Sequence, residues 1–241
     1  MEPRVSTGHA GRERLIFPLD VPDLAEAERW IKRLSPWVGT FKLGLELFSA
    51  AGPAAVEKLA DLSGSRVFLD LKFHDIPATV EGAARAVSRL GGVRFLTVIA
   101  DGGDAMLRAA IRGAGDAIRI LGVTRLTSRP ADPASVVAVA RDAVESGCRG
   151  LVCSGAEVAD VRQAVGPDVE LVCPGVRPAG VDRGDQVRVA GVTEAVAAGA
   201  DFLVVGRPIR EDSDPERRAE AICEEIRAAL ELRANSGEAG G

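Results

Sequence analysis

Eight short apolar runs, separated along a chain of 241 residues by segments of helical periodicity, predict an α/β fold, a single (β/α)8 TIM-type barrel. Three observations carry that expectation. The runs are nearly continuous in Val, Leu, Ile and Phe, as strands of a parallel sheet buried on both faces are. Strand and helix signals alternate. Charged and polar residues recur just after the strands, where a barrel gathers its site. An open doubly wound sheet is the alternative that the same alternation allows.

In chain order, the first run is Leu15-Ile16-Phe17-Pro18-Leu19, ending at Asp20. Pro22-Asp23 then opens a helix over Leu24 to Leu34, placing a fixed φ and a dipole-matching charge in its first turn. Thr40-Phe41-Lys42-Leu43 is the second strand and Val67-Phe68-Leu69 the third, leading into Asp70 and Lys72. Pro77 starts a helix over Ala78 to Leu90, stopped by Gly91-Gly92. The fourth and fifth strands are Phe95 to Ile99 and Ile118 to Val123, the latter running into Thr124-Arg125-Leu126-Thr127-Ser128. A helix over Pro133 to Glu145 stops near Gly147, and Leu151-Val152-Cys153 and Leu171-Val172-Cys173 follow as strands. Phe202 to Val205 closes the set before a last helix, Pro215 to Leu232. Residues 1–13 and 234–241 lack apolar periodicity and are expected to be flexible tails around a barrel domain at 14–233.

Composition narrows the function. With 46% apolar and 27% charged residues the chain can bury one large core. A formal net charge of -5 and the lack of a basic run argue against a nucleic-acid surface, while leaving room for a local basic pocket. Cys148, Cys153, Cys173 and Cys223 form no Cys-x-x-Cys pair, and with only His9 and His74 beside them no zinc pattern can be written. They read as free, mostly buried thiols. No secretory pattern and no bilayer-length apolar run is visible, so a soluble cytoplasmic protein with no membrane partner is expected.

The most informative stretch is Asp70-Leu71-Lys72-Phe73-His74-Asp75-Ile76-Pro77. Strand alternation puts Asp70 and Lys72 on one face and Leu71 and Phe73 on the other. Such a pair can be a salt bridge capping a strand end. Here it converges with Asp20 after the first strand and Lys42 in the second. Pro174-Gly175-Val176-Arg177-Pro178 and Gly206-Arg207-Pro208 follow the seventh and eighth strands, the usual phosphate position in barrels, where glycine admits backbone N–H groups and arginine supplies a fork. Either arginine alone could be an ordinary surface residue. Between them, Arg177 to Val189 is longer than a simple strand-helix turn, contains Gly180, Gly184, Asp185 and Gln186, and reads as a mobile lid or as an insertion without ligand contact.

These residues resemble the orotidine 5'-phosphate decarboxylase family over nearly the whole chain. The resemblance rests on Pro18-Leu19-Asp20, Phe41-Lys42-Leu43-Gly44, the Asp70 to Pro77 signature, Leu126-Thr127-Ser128, the Pro174 to Pro178 segment, Gly184-Asp185-Gln186 and Val205-Gly206-Arg207-Pro208. It implies decarboxylation of orotidine 5'-phosphate to uridine 5'-phosphate, with no cofactor and no metal. It further implies that Asp20 and Lys42 hold ribose hydroxyls, that Asp70 lies by the substrate carboxylate, and that Lys72 donates the proton. Thr127 would meet the pyrimidine, and Arg177, Gln186, Gly206 and Arg207 would bind phosphate. Asp75, Ile76 and Thr79 would enter the partner's site in a homodimer, and His74 would support the loop. Two departures stand out: Ile99 where many relatives carry histidine in strand 4, and Cys173 where threonine often precedes the Pro-Gly.

The chemistry fits the residues. Loss of carbon dioxide from C6 of orotate leaves a carbanion in the ring plane, out of reach of the π system, so a placed cation and proton matter more than an electron sink. Carboxylates beside Lys72 favour its ammonium form, which suits a general acid and not a Schiff-base lysine. Two rivals remain: a metal-dependent sugar-phosphate decarboxylase or aldolase on the same barrel type, and a catalytically silent nucleotide-binding barrel.

Overall fold

Eight parallel strands close on themselves in chain order, β1 pairing with both β2 and β8, in a computed structural model that describes residues 9–64, 66–125, 132–177 and 190–238. The strands are β1 (Leu15–Pro18), β2 (Thr40–Gly44), β3 (Arg66–Phe73), β4 (Val93–Ile99), β5 (Arg119–Val123), β6 (Gly150–Val152), β7 (Glu170–Pro174) and β8 (Phe202–Val204). Between and around them lie α1 (His9–Arg14), α2 (Leu24–Leu34), α3 (Leu45–Ala51), α4 (Pro53–Ser63), α5 (Pro77–Val87), α6 (Asp104–Ala114), α7 (Pro133–Glu145), α8 (Val158–Val165), α9 (Val192–Ala197), α10 (Arg207–Arg210) and α11 (Pro215–Glu238). This is the (β/α)8 barrel that the alternation predicts, not an open sheet.

Two apolar layers form because each strand is buried on both faces. Ile16, Phe68, Phe95, Leu121, Val172, Phe202 and Val204 fill the barrel interior. There Phe95 packs edge-on against Phe68 at 5.8 Å and Phe202 at 5.4 Å, so the middle of the barrel is a solid plug. The opposite faces, with Phe17, Phe41, Leu69 and Leu96, pack on helix residues such as Ala27, Ile31 and Leu34. With the interior filled, polar groups can gather only at the strand ends.

Helix boundaries follow their local signals. Asp23 caps α2 by accepting from the Glu26 amide at 2.8 Å, and Asp132 caps α7 by accepting from Ser135 at 3.1 Å. Proline occupies the first turn of α5 and α7. α5 stops at Val87, three residues before the expected end, because the chain turns there with the Leu90 amide on the Val87 carbonyl. The ordered helices also extend past the expected 14–233 boundaries. α1 lies wholly ahead of β1, where a Cβ at Gly11 would come 2.1 Å from the Cys223 carbonyl oxygen, so α1 and α11 pack backbone against backbone. α11 continues to Glu238. All four cysteines are free and buried, as expected. Among the described residues no helix is long and apolar enough to cross a membrane.

Candidate active site

At the carboxyl ends of β1 to β3, four side chains alternate in sign. Lys42 Nζ lies 3.1 Å from Asp20 Oδ1 and 3.4 Å from Asp70 Oδ2, and Lys72 Nζ lies 2.8 Å from Asp70 Oδ1. Parallel register makes this possible, pairing Pro18 with Lys42 and Gly44 with Asp70. Gly44 leaves the space: a Cβ there would stand 3.3 Å from both Asp20 Oδ1 and Lys42 Nζ.

The end of β3 departs from simple alternation. Leu69 pairs with Leu96 and Phe73 with Val98, so β3 takes four steps where β4 takes two. The extra length is absorbed at Lys72, whose φ of +51° makes it the one non-glycine residue in the left-handed region among the described residues. Asp70 and Lys72 meet as expected, but through a bulge and not a regular pleat. Thr97, fully buried on β4, touches both: its Oγ1 accepts from the Lys72 amide at 2.9 Å and donates to Asp70 Oδ1 at 3.0 Å. Burial alone would raise the Asp70 pKa. The charges of Lys42 and Lys72, with hydrogen bonds from Lys72 and Thr97, outweigh burial and hold it below the ordinary carboxylate value.

Asp20, Lys42, Asp70 and Lys72 open on a cavity of about 280 Å³ whose lining also includes Arg125, Arg177, Gly206, Arg207 and Arg210. Arg177 follows β7 and is buried; Arg207 begins α10 after β8. Gly206 is required between β8 and α10, since a Cβ would come 2.7 Å from Cγ of Pro18. Arg210 donates to the Pro18 carbonyl at 2.7 Å, and Arg125 pairs with Asp101 at 2.6 Å. Six cationic side chains against two carboxylates give the lining a positive balance, suited to an anion. A wider cleft of about 1050 Å³ lies at the amino ends of the strands, where Glu170 pairs with Arg94 and Arg119; none of the expected site residues reaches it.

Asp75, Ile76 and Thr79 are exposed around the start of α5, outside this cavity lining, with Ile76 65% exposed. Thr127 and Gln186, with residues 178–189 of the expected lid, lie outside the described residues. Thr97, Arg125 and Arg210 are the additions that sequence reasoning missed. A lone threonine inside Phe95-Leu96-Thr97-Val98-Ile99 was the available signal for the first, and arginines flanking the recognised segments were the signal for the others. Among the described residues no group of three or more His, Cys, Asp or Glu side chains is arranged to hold a metal ion.

A closed barrel with this mouth belongs to the class of (β/α)8 enzymes that act on small anionic molecules. Residues 13–222 match the Orotidine 5'-phosphate decarboxylase / HUMPS family, and the chain is a member of it. It is 54% identical to Orotidine 5'-phosphate decarboxylase of Anaeromyxobacter dehalogenans over 221 residues, covering 87% of this chain and 96% of that one. It is 51% identical to the Thermobifida fusca protein of the same name, covering 86% and 93%. Among solved structures, Orotidine 5'-phosphate decarboxylase from Lactobacillus acidophilus superposes with a TM-score of 0.77 at 34% identity, covering 88% of this chain and 98% of that one.

Proposed function

We infer that this chain decarboxylates orotidine 5'-phosphate to uridine 5'-phosphate and carbon dioxide, the last step of de novo pyrimidine synthesis. The observation that carries the reading is the Asp20–Lys42–Asp70–Lys72 array sharing one cavity with Arg177 and Arg207. Lys72 is the proton donor. The C6–carboxylate bond breaks with its electron pair left on C6, carbon dioxide departs, and the Lys72 ammonium delivers a proton to that pair before recovering one from solvent. Fixed charges around Lys72 gain strength as the carbanion forms, so the barrier falls without solvent reorganisation. No cofactor enters this sequence.

At the other end of the substrate, Arg177, Gly206 and Arg207 bind phosphate, joined by Gln186 from the lid. Their binding energy is available to organise the reacting end and not only to tighten affinity. Asp20 and Lys42 hold ribose hydroxyls, and Thr127 meets the pyrimidine. Asp75, Ile76 and Thr79 serve the partner's site in a homodimer. Their exposure outside the chain's own cavity supports that crossed arrangement. The setting is the cytoplasm, with no nucleic-acid or membrane partner.

Carbon dioxide release from orotidine 5'-phosphate by purified protein in excess chelator tests the reading. Turnover that is unchanged by chelator supports it. Activity only with added divalent metal, on a sugar phosphate and not on the nucleotide, would replace it with the metal-dependent barrel reaction.

A further inference from the structure

We propose that Thr97 is a positioning residue, whose hydroxyl ties the left-handed backbone of Lys72 to the Asp70 carboxylate and thereby aims the Lys72 ammonium. The inference rests on the reading of Lys72 as proton donor. Thr97 is fully buried and is not part of the cavity lining, so its effect passes through its two partners.

Hydrogen-bond polarity fixes the arrangement. A backbone amide only donates, so the Lys72 N–H takes a lone pair of Thr97 Oγ1 at 2.9 Å. The single hydroxyl proton is then free for Asp70 Oδ1 at 3.0 Å. The same oxygen accepts from Lys72 Nζ at 2.8 Å. One residue is thus held at its backbone and, through the carboxylate, at the tip of its side chain. Lys72 needs such a hold, because its positive φ is unfavourable for a residue with a Cβ and the β3–β4 register is broken at this point.

The groups facing Asp70 are Lys42 from β2, with Asp20 behind it from β1, Lys72 from β3 itself, and Thr97 from β4. Losing the hydroxyl removes a donor from the ionised carboxylate, leaves the Lys72 amide without that acceptor, and frees the bulge to relax. Proton delivery should suffer while the phosphate and ribose contacts persist.

Two matched comparisons isolate the hydroxyl: wild type against Thr97→Val, of equal size, and Thr97→Ser against Thr97→Ala, both lacking the methyl. In each pair the member without hydroxyl should lose kcat on the order of 10- to 100-fold, as expected for a hydrogen bond to a charged group. KM for orotidine 5'-phosphate should move by less than about threefold. The acid limb of its pH–rate profile should shift to higher pH, since the carboxylate has lost a donor. If Thr97→Val does not fold, the serine and alanine pair decides. A kcat ratio within about twofold in the decisive pair, or a loss confined to KM, overturns the proposal. So does folding that requires the hydroxyl, with Thr97→Ser folded and both Thr97→Val and Thr97→Ala not, because the hydroxyl is then a stability element. Lys72→Ala is run alongside: retained turnover there overturns the proton-donor reading itself, and this inference with it.

Discussion

Lys72 Nζ reaches Asp70 Oδ1 at 2.8 Å from a left-handed backbone, two residues along a strand that has lost step with its neighbour. The ion pair is therefore made from a strained local geometry and not from the regular pleat that strand alternation alone would use. Barrel closure, the shifted register and the neighbouring lysine and threonine all contribute to holding it, and these dependences can be separated by experiment.

The Asp70 carboxyl has a pKa below its ordinary value of 3.8, burial being outweighed by Lys42, Lys72 and the hydrogen bonds it accepts. The native state consequently binds fewer protons than the unfolded chain as pH falls past that value. The stabilisation is complete above the ordinary pKa and is lost as pH drops through the lowered one. Urea unfolding of wild type and Asp70→Asn at a series of acidic pH values should show wild type losing stability more steeply below about pH 4. Parallel curves would mean that Asp70 is not held ionised.

Arg207 begins α10 beside Gly206 and lines the same cavity as Lys72. Arg207→Ala should reduce kcat/KM for orotidine 5'-phosphate by on the order of 100-fold, as for loss of a charge-assisted contact, and barely alter turnover of the phosphate-free nucleoside. Equal losses on both substrates would remove Arg207 from the phosphate site.

Burial pushes the thiols of Cys148, Cys173 and Cys223 up to about 12 and that of Cys153 well above its ordinary value. Thiolate is the reactive form, so a thiol-exchange reagent at pH 8 should leave the folded protein unlabelled and modify all four cysteines in denaturant. Rapid labelling of a native thiol would show that the packing around it opens.

Much of this architecture is legible in the sequence because its causes are local. α2 and α7 fall on the expected residues, since proline, a capping aspartate and apolar periodicity mark them. Asp20, Lys42, Asp70 and Lys72 are legible because charge at the end of an apolar strand has few structural reasons to exist. The bulge at Lys72 is not, as lysine carries no signal for positive φ and the register slip exists only relative to β4. Thr97 was read as one more strand residue. α1 was missed because its burial comes from Gly11 meeting Cys223, a contact between the two ends of the chain.

Asp75 is exposed and absent from its own chain's cavity lining, so the crossed-site reading makes a quantitative demand. Lys72→Ala and Asp75→Asn chains, each nearly inactive alone, are mixed equally, unfolded and refolded. Random pairing makes half the dimers mixed, each with one intact pocket and one carrying both lesions, so roughly a quarter of wild-type activity should return. Verified subunit exchange with no recovered activity would place both residues in the same chain's pocket.

The central claim, that Lys72 supplies the proton for decarboxylation, is met most directly by Lys72→Ala assayed for two quantities at once. Uridine 5'-phosphate binding, measured by calorimetry, should persist within about tenfold, because the residues proposed to hold phosphate and ribose lie elsewhere. Carbon dioxide release from orotidine 5'-phosphate should fall by about a thousandfold or more, the scale of a lost general acid together with its charge. A folded, nucleotide-binding Lys72→Ala protein that decarboxylates at close to the wild-type rate would contradict the account.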